Sequence, residues 1–343
     1  MASPGSPDGA REGPVGIACN PASGKDVRRL TARASVFDNQ EKAAIVRRAI
    51  VGAMAAGARE FRYVPDTHEI ASSALAEFEG EVVAKPVDSP QTGSMLDTVR
   101  GASALREAGC AAVITLGGDG TNRAFTKGWR DAPLLPVSTG TNNVFPRVVE
   151  ATVAGTAAGA VAVGRVALAE VARRAKRISV DIEGEDEDLA LIDAVLTNDR
   201  FIGSRALTDG ARLRSALLTR ADPSGIGITS IGGLLHPVAD ADDVALLLEF
   251  GEGGEPLLAP IAPGHFQEIA VRSVRTVLFS EAIQIEGSGA LAFDGERERV
   301  LRSGQHAELR VERDGPWVID VKRVLARAAE EGWFRTGTAS SVR

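Results

Sequence analysis

The sequence predicts an α/β protein: a doubly wound parallel sheet in the first half, followed by a β-sandwich domain. Three observations carry that expectation. Between residues 15 and 138, short apolar runs rich in Val, Ile and Ala alternate with amphipathic stretches of helical period, the cadence of a parallel sheet with helices on both faces. From residue 176 onward, short alternating runs are divided by Gly and Pro turns, which suits antiparallel strands in a sandwich or barrel. Finally, the apolar runs of the first half end in small, glycine-bearing turns. They all fall at the edge where parallel sheets bind ligands, beyond the carboxyl ends of the strands.

The elements follow in order. Residues 1–13, rich in Gly, Pro and Ser and lacking an apolar core, read as a disordered leader rather than a signal peptide. Residues 14–150 form the α/β domain. Its strands are expected at 15–19, 61–64, 82–87, 112–116 and 134–137, with helices at 39–56, 70–78, 93–108 and from Asn122. The 39–56 helix, for example, places Ala43, Val46, Ala49 and Ile50 on one face and Arg47 and Arg48 outside. Residues 151–175, rich in Ala, read as one helix or two connecting to the next region. Residues 176–315 form the β-sandwich, with short strands that include 244–250, 268–274 and 277–279. Residues 316–335 supply a last strand and helix returning to the first domain.

Bulk properties narrow the function. The chain has 343 residues, which suits two domains, and 44% hydrophobic content supplies a sizeable core; aromatics are only 4%, so that core is aliphatic. The net charge of −7, without a run of Lys or Arg, disfavours nucleic acid as a partner. No segment reads as a membrane span, so a membrane partner is not expected and the cytoplasm is the default location. The two cysteines, Cys19 and Cys110, border apolar runs and read as buried thiols rather than a disulfide. The four histidines show no triad or metal spacing.

The stretch Ala111–Phe125, AAVITLGGDGTNRAF, organises the rest. A buried strand breaks at Gly117-Gly118-Asp119-Gly120-Thr121 and a helix follows. Glycines there permit positive φ and close approach of an anion to main-chain N–H groups, at the positive end of the helix dipole. Asp119 in that setting can hold a metal ion or take a proton from a hydroxyl. As an exposed turn carboxylate it would add little to stability, so Asp119→Asn is expected to leave the melting temperature unchanged. Turn chemistry alone also explains Gly and Asp. The weight shifts because Ser138-Thr139-Gly140-Thr141-Asn142-Asn143 ends the next strand in the same manner, facing the first turn across one crevice. Asn20-Pro21-Ala22-Ser23-Gly24-Lys25 after the first strand is a third such turn, or an ordinary βα loop.

The set Asn20-Pro21-Ala22-Ser23-Gly24, Gly117-Gly118-Asp119-Gly120-Thr121, Gly140-Thr141-Asn142-Asn143 and Asp294-Gly295-Glu296 resembles the NAD kinase / diacylglycerol kinase / sphingosine kinase superfamily over nearly the whole chain. Residues 20–42, NPASGKDVRRLTARASVFDNQEK, are similar to the acetoin-catabolism X proteins, an NAD-kinase-like subgroup. Asp222-Pro223-Ser224-Gly225 with Ser230-Ile231-Gly232-Gly233 resembles the NAD kinase Thr-Pro-Thr-Gly-Ser and Ala-Gly-Gly-Pro segments, and Asn198-Asp199 falls where that family has Asn-Glu.

The resemblance implies ATP, Mg²⁺ or another divalent cation, and transfer of the γ-phosphoryl group to a hydroxyl, with NAD as the acceptor. It implies Asp119 and Glu296 as catalytic residues, with Asp119 holding the metal and Asp294 a weaker candidate ligand. Asn20, Ser23, Gly24, Gly117, Gly118, Gly120, Thr121, Gly140, Thr141, Asn142 and Asn143 would bind nucleotide and phosphate. Asn198, Asp199, Asp222, Ser224 and Gly225 would bind the acceptor. Asp294-Gly295 reads equally as a hairpin turn. Departures from the family pattern bear on the acceptor: Asp for Glu at 199, Asp for Thr at 222, and a segment at 226–229 that is shortened and lacks a Tyr. Two other functions compete with a kinase of nucleotides. One is a regulatory protein that binds NAD or ATP with little turnover. The other is a lipid kinase, against which stands the lack of a basic amphipathic helix. The family's dimers and tetramers hint at a homo-oligomer.

Overall fold

The computed structural model describes residues 12–24, 38–140, 142–199 and 209–335. Residues 1–11 of the expected leader and Thr141 lie outside the described residues.

The first half alternates as its apolar pattern requires: β1 Val15–Cys19, α1 Asn39–Ala55, β2 Glu60–Tyr63, α2 Ile70–Ala76, β3 Val83–Pro86, α3 Met95–Glu107, β4 Ala112–Gly117, α4 Asp119–Gly128 and β5 Pro133–Ser138. The Ala-rich stretch splits into α5 Ala151–Ala162 and the short α6 Leu168–Val171, and β6 Ala172–Arg174 follows. The second half begins with β7 Arg177–Ile182, β8 Asp188–Ala190 and β9 Asp193–Thr197. It continues with β10 Leu213–Leu218, α7 Ile228–Leu235, β11 Val244–Ala262, β12 His265–Leu278, β13 Ile283–Glu286, β14 Gly289–Phe293, β15 Glu296–Leu301 and β16 His306–Glu312. The chain closes with β17 Trp317–Ile319 and α8 Val321–Glu330.

One sheet runs β3-β2-β1-β4-β5-β17-β6. Its first five strands are parallel, β17 extends it parallel to β5, and β6 is antiparallel to β17. One face is covered by α1, α2, α5 and α8 through Ile50, Ala154, Val161 and Val324. The other is covered by α3 and α4 through Leu105 and Phe125. Helices α1 and α5 cross almost backbone to backbone. A Cβ on Gly52 would stand 1.9 Å from the Thr152 carbonyl oxygen, and one on Gly155 1.9 Å from that of Ala49.

The second half forms two antiparallel sheets, β12-β11-β10-β9-β14-β15 and β13-β16-β7-β8. Ile178, Val180, Leu309 and Val311 of one meet Leu217, Leu291 and Phe293 of the other in a single core, which makes a β-sandwich. The short strands expected at 244–250, 268–274 and 277–279 are one long hairpin instead. Gly251 and Gly253 hold φ of 138° and 80°, so Phe250 and Glu255 both face Val271 and the strand resumes on the same partner. Among the described residues, no helix is long and apolar enough to cross a membrane. Cys19 and Cys110 are free thiols; burial pushes the Cys110 thiol up to about 12.

Candidate functional site

Strand order reverses at β1 and β4: the chain leaves β1 toward β2 and β3, then returns to lay β4 on the opposite side. Loops after these two strands therefore diverge and leave a crevice between them. The loop after β1 is bound to the crevice on both sides. Asn20 N–H donates to the Leu116 carbonyl at 3.0 Å, its Nδ2 donates to Thr121 Oγ1 at 2.8 Å, and Ser23 Oγ lies 2.9 Å from Thr139 Oγ1. Gly24 takes φ 71°, which turns the chain back. Beneath the loop lies Lys42 of α1, fully buried, with Nζ donating to the carbonyls of Asn20, Pro21 and Ser23 at 3.0, 3.0 and 2.7 Å and to Asn39 Oδ1 at 3.1 Å. No motif in the sequence announces it.

The turn after β4 departs from expectation in two respects. The helix starts at Asp119, three residues earlier than the hydrophobic period suggested, with Gly118 as its extended N-cap. And Gly117, Gly118 and Gly120 are not among the positive-φ glycines. They are needed for close approach. A Cβ on Gly117 would stand 2.5 Å from Thr121, one on Gly118 2.8 Å from Asn143 Oδ1, and one on Gly120 3.3 Å from Glu296 Oε1. The glycines thus admit side chains of the neighbouring turn and of the sandwich. Asn122 is buried; it accepts from Thr115 Oγ1 and donates to the Gly118 carbonyl, both at 2.8 Å, and so holds the turn's shape.

Asp119 is the link between the two glycine turns. Its carboxylate accepts Val144 N–H at 3.0 and 3.1 Å and Phe145 N–H at 2.7 Å. It is half-buried and engaged, which corrects the picture of an exposed turn group with little part in stability. Asn143 Nδ2 donates to Ser138 Oγ at 2.8 Å, and that hydroxyl donates to the Gly140 carbonyl at 2.7 Å. The two turns meet directly, Gly118 against Asn143 and Asp119 against Val144 and Phe145.

The sandwich contributes the Asp294-Gly295 turn between β14 and β15. Both residues hold positive φ, 51° and 79°, and Phe293 pairs with Glu296, so this is a tight hairpin. It is also part of the site. Asp294 Oδ1 accepts N–H groups of Leu191, Ile192 and Asp193 at 3.0, 2.7 and 3.3 Å. Burial pushes the Asp294 carboxyl up to about 7; Arg123 and the main-chain N–H donors oppose that rise, and the Asp119 carboxylate adds to it.

Between the two halves lies a cleft of about 610 Å³ including its open mouth. Asp119, Asn142, Asp193, Asp209, Asp294 and Gly295 give it polar walls; Val144, Leu213, Ile226, Ile228 and Ile261 give it an apolar one. The acceptor candidates stand outside its lining. Asn198 is exposed beyond the far end of β9 from Asp193, and Asp199 pairs with Arg212 and accepts from Thr197 Oγ1 at 3.2 Å. Asp222 accepts from Ser224 N–H and Oγ at 2.8 and 2.7 Å, and Gly225 N–H donates to the Asp222 carbonyl at 3.0 Å. This closes a turn whose continuation, residues 226–229, reaches the cleft. None of the four histidines lines it. Sequence reasoning missed Asp193 and Asp209, for which an Asp inside the apolar run LALIDAVLT was the one available sign, and read Ile226–Thr229 as a departure bearing on the acceptor rather than as a wall of the cleft. Among the described residues, no three His, Cys, Asp or Glu side chains are grouped to hold a metal ion.

A family model described as the ATP-NAD kinase N-terminal domain matches residues 15–166. One described as the acetoin catabolism protein X C-terminal domain matches residues 176–314. The chain is 36% identical over 337 residues to an acetoin catabolism protein X of Cupriavidus necator, covering 94% of each. Among solved structures, yeast NADH kinase complexed with NADH is 14% identical, with 97% of this chain and 90% of that chain covered, at a TM-score of 0.46. A putative diacylglycerol kinase from Bacillus anthracis strain Sterne is 13% identical, with 90% and 97% covered, at a TM-score of 0.49.

Proposed function

The chain belongs to the acetoin catabolism protein X family, and we propose that it is an ATP-dependent kinase that transfers the γ-phosphoryl group to a hydroxyl of NAD or a related nucleotide. The observation that carries this reading is the crevice at the strand-order reversal. There the loops after β1, β4 and β5 are cross-linked to one another, and those after β4 and β5 open, through Asp119, Asn142 and Val144, onto a cleft whose far wall is the sandwich. Phosphoryl transfer requires positioning and charge neutralisation more than covalent chemistry, and such a crevice supplies positioning.

In this reading Asn20, Ser23, Gly24, Gly117, Gly118, Gly120, Thr121, Gly140, Asn142 and Asn143 receive the triphosphate, at the N-terminus of α4. The acceptor lies in the cleft against Ile226, Ile228 and Ile261. Its hydroxyl oxygen bonds to the γ-phosphorus, the bond to the β-phosphate oxygen breaks, and ADP leaves. Asp294, with a carboxyl near neutral pH, takes the hydroxyl proton. Asp119, accepting from the Val144 and Phe145 N–H groups, stays fixed beside it. Among the described residues no three ligating side chains are grouped, so a divalent cation would be held by the nucleotide's phosphates with Asp119 and with Glu296, whose carboxylate lies against Gly120. Such a cation neutralises charge on the transferring group. By its family, we also link the chain to acetoin catabolism.

A coupled assay for NADP formation from NAD, ATP and Mg²⁺ tests the reading, with a labelled-ATP screen of other hydroxyl acceptors beside it. The engagement of Asp119 by Val144 and Phe145 favours one alternative, a regulatory protein that binds nucleotide without turnover. Calorimetric binding of NAD or ATP with no labelled product from any acceptor would select it.

A further inference from the structure

Asp119 is not alone in gripping the loop after β5. Arg220, two residues beyond the end of β10, lies with its guanidinium carbon 5.9 Å from the centre of the Phe145 ring, close enough for the ring face to attract the cation. Phe145 is buried, and its main-chain N–H makes the shortest of the bonds to Asp119, at 2.7 Å. This residue is therefore held twice, at its ring by the sandwich and at its main chain by Asp119. Arg220 Nη2 donates to Asp240 Oδ1 at 2.8 Å. Its Nε is buried with no hydrogen-bond partner among the described residues. A buried donor left unsatisfied is costly, so the need to pair its donors does not explain where this guanidinium sits. The ion pair and the ring do.

The pair is anchored at both ends. Buried Lys176 donates through Nζ to the carbonyls of Thr219, Ala239 and Val244 at 2.7, 3.0 and 2.8 Å. One ammonium thus grips the residue before Arg220 and the residue before Asp240, which fixes the two partners relative to each other. Arg313 Nη2 adds bonds to the Asp240 and Asp242 carbonyls at 3.1 and 3.0 Å, so the loop between α7 and β11 that carries Asp240 is held along its main chain. A carboxylate bound to a loop is only as well placed as that loop, and supporting contacts of this kind set the precision of a site. We propose that Arg220 is a positioning residue for Asp119: fixed by Asp240, its guanidinium holds the Phe145 ring, and the main chain of Phe145 holds the carboxylate. The effect on phosphoryl transfer rests on the kinase reading of the site; the hold on the loop does not.

Amide hydrogen exchange of the full chain, resolved by NMR, tests this together with steady-state transfer from labelled ATP. In Arg220→Met, which keeps the apolar stem and removes the charge, the Val144 and Phe145 amides should exchange roughly tenfold faster. Amides of Val113–Leu116 in β4 should keep their wild-type rates. The kcat should fall roughly tenfold or more, as small misplacements of a catalytic group do, with the KM for ATP changed by less than about twofold. Arg220→Lys keeps a cation for both the ring and Asp240 and should recover most of both losses. Asp240→Asn should loosen the same two amides. Unchanged exchange at Val144 and Phe145 in Arg220→Met overturns the proposal. Faster exchange that extends to β4 makes Arg220 a general stabilising contact and overturns it equally, as does selective loosening with kcat at the wild-type value. A wild type that transfers phosphate to no acceptor is a failure of the kinase reading, and the exchange rates alone then decide whether Arg220 holds the Asp119 clamp.

Discussion

Replacement of Asp119 by Asn separates two duties of one side chain. Its carboxylate clamps the loop after β5 to the first turn of α4 through Val144 and Phe145 N–H groups, the shorter bond being 2.7 Å. Hydrogen bonds to a charged group contribute about 1.5–3 kcal/mol each, and a carboxylate in the first turn of a helix gains about 0.3–1 kcal/mol from the dipole. Asn retains one acceptor oxygen but turns an amide donor toward the second N–H. One charged bond and the dipole contribution are lost, about 2–4 kcal/mol in sum. For a chain of this length, about 2 °C per kcal/mol gives a fall in melting temperature of about 4–8 °C. Phosphoryl transfer to NAD should disappear in the same variant. Thermal unfolding followed by circular dichroism, paired with the coupled NADP assay, reads both. A variant that melts with the wild type refutes the clamp; one that melts lower yet transfers phosphate normally removes Asp119 from the chemistry.

Three further outcomes are expected. Asp294 has a folded value of about 7 against an ordinary 3.8, so the native state keeps a proton that the unfolded chain releases as pH rises through that interval. Its stabilising contribution is complete below pH 3.8 and is lost by about pH 7; urea midpoints should fall across this window, and Asp294→Asn should flatten the decline. Gly155→Ala brings a methyl to within 1.9 Å of the Ala49 carbonyl oxygen, and because the obstacle is backbone, overpacking should cost about 1–3 kcal/mol or more in denaturant unfolding. Lys42→Met leaves the carbonyls of Asn20, Pro21 and Ser23 without their buried donor, at about 1–3 kcal/mol for each unsatisfied group. It should lower the melting temperature and raise the KM for ATP more than it lowers kcat, whereas an unchanged KM would detach the loop from nucleotide binding.

The fold was legible because its signals are periodic and local. Apolar runs such as Ala112–Leu116 and helical faces such as Ala43, Val46 and Ile50 need only their own neighbours to be read. The Asp294-Gly295 turn was legible as a hairpin and as a site residue, and the structure shows these to be one arrangement. The long hairpin was not, since Gly251 and Gly253 read as a stop when their positive φ instead carries the strand through a bulge. At the site, the glycines announced themselves but not their reason: Gly118 is small for Asn143 and Gly120 for Glu296, partners 25 and 176 residues away. Lys42 shows in the sequence only as the end of the 20–42 stretch and Asp193 only as an acid inside an apolar run, because what makes them matter is a loop or a turn that only the tertiary fold brings over them.

What fixes the spacing between the two halves of the site is a buried ionic cluster. Asp188 of β8 accepts from Arg123 and Lys127 of α4 at 2.8 and 2.9 Å and from Arg299 of β15 at 3.1 Å. The Arg123 guanidinium also donates to the Leu189 carbonyl at 2.6 Å and lies 5.0 Å from the centre of the Phe293 ring. Burying these charges costs desolvation that apolar residues of similar volume would avoid, so the cluster's contribution is better sought in geometry than in stability. Arg123 sits one helical turn after Asp119, and Phe293 immediately precedes Asp294. A single guanidinium therefore sets the distance between the carboxylate of the parallel sheet and the carboxyl of the sandwich. A hinge that opened and closed the cleft would have to break this cluster at each turnover, leaving Asp188 buried beside fewer cations. The two sheets accordingly present a preformed gap, and in the proposed kinase the ordering of a nucleotide would fall to the loops around it rather than to a hinge between the halves.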